Sequence, residues 1–70
     1  MVTRSRDAAV AAAQALHDRG NAATVHNHDG RWAALNLEQP ATTIAANLTQ
    51  LGLDPDHAHT EADRIKKRGY

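Results

Sequence analysis

The four residues Asn27-His28-Asp29-Gly30 constrain this chain more than any other segment. Asn at the first position of a turn, Asp at the third and Gly at the fourth are the residues that a type I turn with a G1 bulge requires, the glycine supplying positive φ. Flanking them, residues 23–37 lose the helical spacing seen elsewhere and alternate in polarity. A β-hairpin is therefore expected, with Asn27 pairing Arg31. That register opposes Val25 to Ala33 and Ala23 to Leu35, gathering the apolar residues with Leu37 on one face and leaving Thr24, His26, Trp32, Ala34 and Asn36 on the other. The alternative, a two-residue Asp29-Gly30 turn, separates Val25 from Leu35 and Leu37. The bulged turn is preferred on that ground.

Helices are expected on both sides of the hairpin. Residues 6–19 are rich in alanine, free of proline and glycine, and preceded by Thr3 and Ser5 as candidate N-caps. Ala9, Ala12, Ala13 and Leu16 fall on one stripe with Val10 on its border, and Gly20-Asn21 offers a left-handed stop. After Pro40, which suits a first helical position, Ile44, Ala45, Leu48 and Leu51 keep helical spacing until Gly52, beyond which Leu53 is placed to fold back on Leu48. Asp54-Pro55 then opens a last helix with a narrow stripe of Ala58, Ala62 and Ile65. Its acids come early and Lys66, Lys67 and Arg68 late, the order that the helix dipole favours. The expected fold is α+β, in the order α-β-β-α-α: a two-stranded antiparallel hairpin packed with three helices in a single domain, residues 1–70.

Seventy residues allow only a small core, and 15 of them are alanine. With no cysteine to form disulfides, a chain this small gains stability most simply by pairing with a second copy of itself, so an oligomer is expected. The lack of cysteine also removes thiol catalysis and thiolate zinc sites, and it is compatible with a reducing cytoplasm. No stretch has the apolar length of a membrane span, and the charged start is unlike a signal peptide. A cytoplasmic protein with no membrane partner is expected. Eight basic residues balance eight acidic ones, so no global field draws the chain to nucleic acid.

Four of the five histidines form two His-x-His pairs, His26/His28 and His57/His59. Residues two apart on a strand share a direction and can share a metal ion. The bulged turn, however, moves His28 to its tip and away from His26, while on a helix starting at Pro55 the other two project roughly 200° apart. No metal or other cofactor is expected. Asp29, Asp54, Asp56, Glu61 and Asp63 have simpler roles in turns, caps and helix charge pairs, and no phosphate loop or activated nucleophile is present. An enzyme is not expected, and no catalytic residue is assigned.

Trp32 is the one tryptophan in a chain without phenylalanine. The bulged register sets it on the polar hairpin face near His26, where a rigid aromatic with one donor has the character of an interaction hot spot. The alternative is that the first helix covers one hairpin face and the last two helices the other, which makes Trp32 part of the core. The expected function is a small non-enzymatic protein-binding module, regulator or inhibitor in type, acting through Trp32, His26, His28, Thr24, Asn36 and Arg31. Its partner is another protein, a second copy of itself, or both. The alanine- and arginine-rich composition suits a high-GC bacterial genome or its phage.

A second pattern spans about half the chain. Trp32-Ala33-Ala34-Leu35-Asn36-Leu37, then Leu48-Thr49-Gln50-Leu51-Gly52-Leu53, then the helix with Ala62 and Ile65 run strand, helix, turn, helix. Residues 31–68 in this respect resemble the ribbon-helix-helix family of dimeric DNA-binding regulators. The resemblance implies strands paired between subunits, with Trp32, Ala34 and Asn36 turned to the major groove, and nucleic acid as the alternative partner, contacted by Asn36, Lys66, Lys67 and Arg68. The sequence departs from that pattern at Trp32 and Ala34, which offer little hydrogen-bond readout, and at Asp54-Pro55-Asp56, whose charge repels phosphate.

Overall fold

A computed structural model describes residues 2–68 of the chain. The element order is β1 (Val2–Thr3), α1 (Arg6–Asp18), β2 (Ala23–His28), β3 (Arg31–Asn36), α2 (Ala41–Leu51) and α3 (Pro55–Arg68). The fold is α+β, as the sequence implies, but the sheet has three strands in the order β1-β3-β2, all antiparallel. The expected two-stranded hairpin is therefore incomplete. A two-residue strand carries no periodicity of its own, and β1 exists because Val2 and Thr3 meet Ala33 and Trp32.

The helix ends follow local chemistry. Ser5 caps α1, its hydroxyl accepting from the Ala8 N–H at 3.2 Å, while the Thr3 hydroxyl accepts from the Ser5 N–H at 3.1 Å. At the other end Gly20 has φ +85°, and the Asn21 N–H donates to the Leu16 carbonyl at 3.0 Å, closing the helix with a left-handed residue. Pro40 stands one position earlier than expected, as the N-cap of α2 and not its first residue; its carbonyl accepts from Thr43 and Ile44. Past Gly52 the Leu53 N–H donates to the Leu48 carbonyl at 3.1 Å, and both side chains are buried in one cluster. Asp54 opens α3 by accepting from the Asp56 N–H at 3.1 Å.

The hairpin register differs from the bulged one. His28 pairs with Arg31, leaving only Asp29 and Gly30 in the turn, with φ +52° and +79°. Positive φ at both central residues belongs to a type I′ turn, whose twist matches that of the strands it joins. The bulged register rested on the premise that the hairpin has one apolar face. It has two. Ala23, Val25 and Ala34 pack with Ala12, Ala13 and Leu16 of α1, whereas Ala33 and Leu35 pack with Ile44, Leu48 and Leu51 of α2 and Ala58, Ala62 and Ile65 of α3. A sheet covered on both sides tolerates the split that a half-exposed one does not.

Leu35, Ile44, Leu48 and Leu51 are the largest fully buried side chains, so the main core lies between the sheet and the α2–α3 pair. On the α1 side alanines dominate and bring helix and sheet close together. Among the described residues no helix is long and apolar enough to cross a membrane.

Candidate functional site

The type I′ register decides which side chains can act together. Alternation puts Thr24, His26, His28 and Arg31 on the α2–α3 face of the sheet, and Thr3, Asn27, Trp32 and Asn36 on the α1 face. Trp32 and His26 thus project to opposite sides, correcting the expectation that they share one outer face. His26 and His28 project to the same side, correcting the expectation that the turn parts them.

On the α1 face, β1, β3 and β2 bring Thr3, Trp32 and Asn27 into one row near the turn. Trp32 is partly buried and Asn27 exposed. The first turn of α1 crosses here, and the Arg6 guanidinium carbon lies 5.8 Å from the centre of the indole ring, within cation–π range. Asn27 braces the strand end, its Nδ2 donating to the Arg31 carbonyl at 3.1 Å. Arg31, also exposed, projects to the opposite face. On this face the end of the sheet thus presents a partly accessible indole flanked by Arg6 and the Asn27 amide, with Arg31 at the same end but on the opposite face. Asn36 lies at the far end of β3, paired with Ala23, and its side-chain oxygen accepts from the Glu38 N–H at 2.9 Å to hold the following turn.

On the other face His28 and Arg31 border the end of α2: a Cβ built on Gly52 lies 3.2 Å from His28 Cδ2 and 3.5 Å from Arg31 Nη2. His26 feels Glu61, His28 and His57. Burial pushes its imidazole below the ordinary value, outweighing the opposing pull of the Glu61 carboxylate, and the two other histidines act in the same direction as burial. Glu61 Oε1 stands 3.0 Å from Arg64 Nη1 and 3.7 Å from His57 Nε2. His59 is exposed on α3. Among the described residues no group of three or more His, Cys, Asp or Glu side chains is arranged to hold a metal ion.

The basic end of α3 is partly committed to the fold. Lys66 Nζ donates to the carbonyls of Leu37 at 2.8 Å and Gln39 at 3.1 Å, tying the last helix to the segment after β3. Lys67 and Arg68 are exposed on the same turn. Strand β3, which the ribbon-helix-helix pattern would pair between subunits, is the middle strand of the sheet.

Two further features escape sequence reasoning. A groove of 320 Å³ runs between α1 and α2 at the β3 margin, lined by Ala12, Ala15, Leu16 and Arg19 with Ala34, Asn36, Gln39 and Asn47. Its lining offers no carboxylate, imidazole or hydroxyl. The other feature is the free side of β2. The Leu37 N–H donates to the Ala22 carbonyl at 2.9 Å, so the hydrogen-bonded pairs of the hairpin are those of Ala22, Thr24, His26 and His28. Ala23, Val25 and Asn27 consequently aim N–H and C=O away from β3. Among the described residues no strand lies on that side.

Comparison with known proteins returns no match: no protein family, no curated protein and no solved structure is significantly similar to this chain.

Proposed function

We propose that this chain is a non-enzymatic protein-binding module, regulator or inhibitor in type, whose contact surface is the turn end of the hairpin centred on Trp32. The observation that carries the proposal is the setting of Trp32: a partly accessible indole with Arg6 over one face and exposed Asn27 beside it, while Arg31 stands at the same end of the hairpin on the opposite face. A large rigid aromatic framed by arginine is the composition on which protein interfaces concentrate their binding energy. His28, next to Arg31 on the other side of the turn, borders the same end. Thr24 and His26 project to the α2–α3 face and Asn36 lies at the far end of β3, away from it. The groove does not compete as a catalytic site, because its lining holds no group suited to acid-base or nucleophilic work.

The test is affinity capture from the native host with wild type, Trp32→Ala and Arg31→Ala in parallel, followed by titration of the captured protein against each purified variant. The expected result is one specific partner whose affinity falls at least roughly tenfold with Trp32→Ala, as for a hot-spot aromatic. A partner bound equally well by all three proteins removes the Trp32 surface as the site.

A further inference from the structure

We infer that the free edge of β2 pairs antiparallel with β2 of a second copy, joining two three-stranded sheets into one of six strands with the two α1 helices side by side. An edge of this kind is ordinarily guarded by lysine, proline, a bulge or an inward charge. Strand β2, Ala23-Thr24-Val25-His26-Asn27-His28, has no lysine or proline, and its pairing with β3 runs without a bulge.

The register is self-complementary. A two-fold axis through Val25 opposes Val25 to the other copy's Val25, Ala23 to the other copy's Asn27 and Asn27 to the other copy's Ala23. Each pair exchanges two bonds, about six in all, which satisfies every outward N–H and C=O of these residues. In the same register Thr24 faces the other copy's His26, so no like-charged groups meet.

A strand edge alone buries less than a stable dimer needs, and α1 supplies the remainder. Val10 is the one large hydrophobic side chain exposed among the described residues, at 41%. Helical geometry turns it roughly 160° from Ala12, which with Ala15 and Arg19 lines the groove at the β3 margin. Val10 therefore lies on the opposite flank of α1, toward β2. It also lies about one helical turn past Arg6, which marks the level of Trp32, and so stands near the level of Val25. Because α1 lies over β3 and β2 and also reaches β1, strand spacing of about 4.8 Å sets the two α1 axes about 10–14 Å apart, so that only side chains on their facing flanks can touch. The two Val10 side chains then meet over the axis. This pairing leaves the Trp32 end free, so it stands or falls separately from the proposed partner site.

The test joins sedimentation with cysteine cross-linking, which is clean because the chain has no cysteine of its own. Wild type is expected to sediment at twice its 7.6 kDa as concentration rises. Val25→Pro loses an outward N–H together with a side chain that packs on α1; with the helix and strand content unchanged by circular dichroism, it raises the dissociation constant by roughly tenfold or more. Under oxidation Val25→Cys forms a disulfide dimer, since residues opposed across the axis lie about 5.5 Å apart. Asn27→Cys does not, its counterpart being four residues or about 13 Å away. Wild type that stays monomeric to millimolar concentration overturns the inference, as does cross-linking of both cysteine variants to the same extent. Trp32→Ala is expected to leave self-association unchanged.

Discussion

The Arg6 guanidinium lies over the Trp32 ring, 5.8 Å from its centre, and so joins the first turn of α1 to the middle strand of the sheet. Replacing Arg6 with Ala removes both the cation and the aliphatic stem that shields the indole. The expected loss of stability is about 0.5–1 kcal/mol, the range for partly exposed cation–π pairs. Trp32 emission is expected to shift to longer wavelength, checked by fluorescence alongside chemical denaturation.

Gly52 and Gly20 both end helices with positive φ, but their surroundings differ. At Gly20, φ +85°, an added Cβ meets nothing within 4 Å; at Gly52, φ +125°, it comes 3.2 Å from His28 Cδ2. Gly20→Ala is expected to cost about 1 kcal/mol for backbone strain alone. Gly52→Ala adds displacement of His28 to a less accessible backbone conformation and is expected to cost about 2 kcal/mol or more. Equal losses in urea denaturation would show that His28 yields freely.

His26 links stability to pH. Its imidazole is held below the ordinary value of 6.5, chiefly by burial, so the unfolded chain binds the proton more readily than the folded one. Stability from this group is fully present above pH 6.5, declines as pH falls below that value, and stops declining once pH is beneath the folded-state value. Glu61 moderates the effect, and His28 and His57 reinforce it. His26→Gln is expected to flatten the melting temperature against pH on the acid side of 6.5. An unaltered profile would assign the dependence to another group.

Lys66 reaches two carbonyls, of Leu37 and Gln39, from the last turn of α3. Lys66→Met keeps most of the aliphatic stem and deletes both bonds. The expected destabilisation is about 1–2 kcal/mol, whereas Lys67→Met on the exposed side is expected to stay within about 0.5 kcal/mol. Thermal melts of the two variants separate these outcomes.

Much of the fold was legible because it is written in local chemistry. Ser5, Gly20, Gly52 and Asp54 each satisfy or end a helix through atoms a few residues away, and the narrow stripe of Ala58, Ala62 and Ile65 is buried as its spacing implies. The candidate site was less legible. Trp32 stood out by its rarity, but its neighbours Arg6 and Asn27 came with the tertiary structure: Arg6 is 26 positions away along the chain, and pairing Asn27 with Trp32 required the register. His57 and Glu61 reach the field of His26 only because α3 packs back toward the sheet.

By itself the sequence determined that a turn falls within Asn27-His28-Asp29-Gly30, where its helices begin and end, and that helix and strand are mixed, since each of these depends on backbone preferences within a few residues. Only the tertiary structure decided the hairpin register, because a shift in the turn exchanges the two faces of the strand and the choice rests on what covers each face. Here α1 covers one and the α2–α3 pair the other. With both faces covered, the apolar residues need not lie together, and the tight type I′ turn can form. That turn, the feature most visible in the sequence, thereby places Trp32 and His26 on opposite sides of the sheet and leaves Val25 on an open edge.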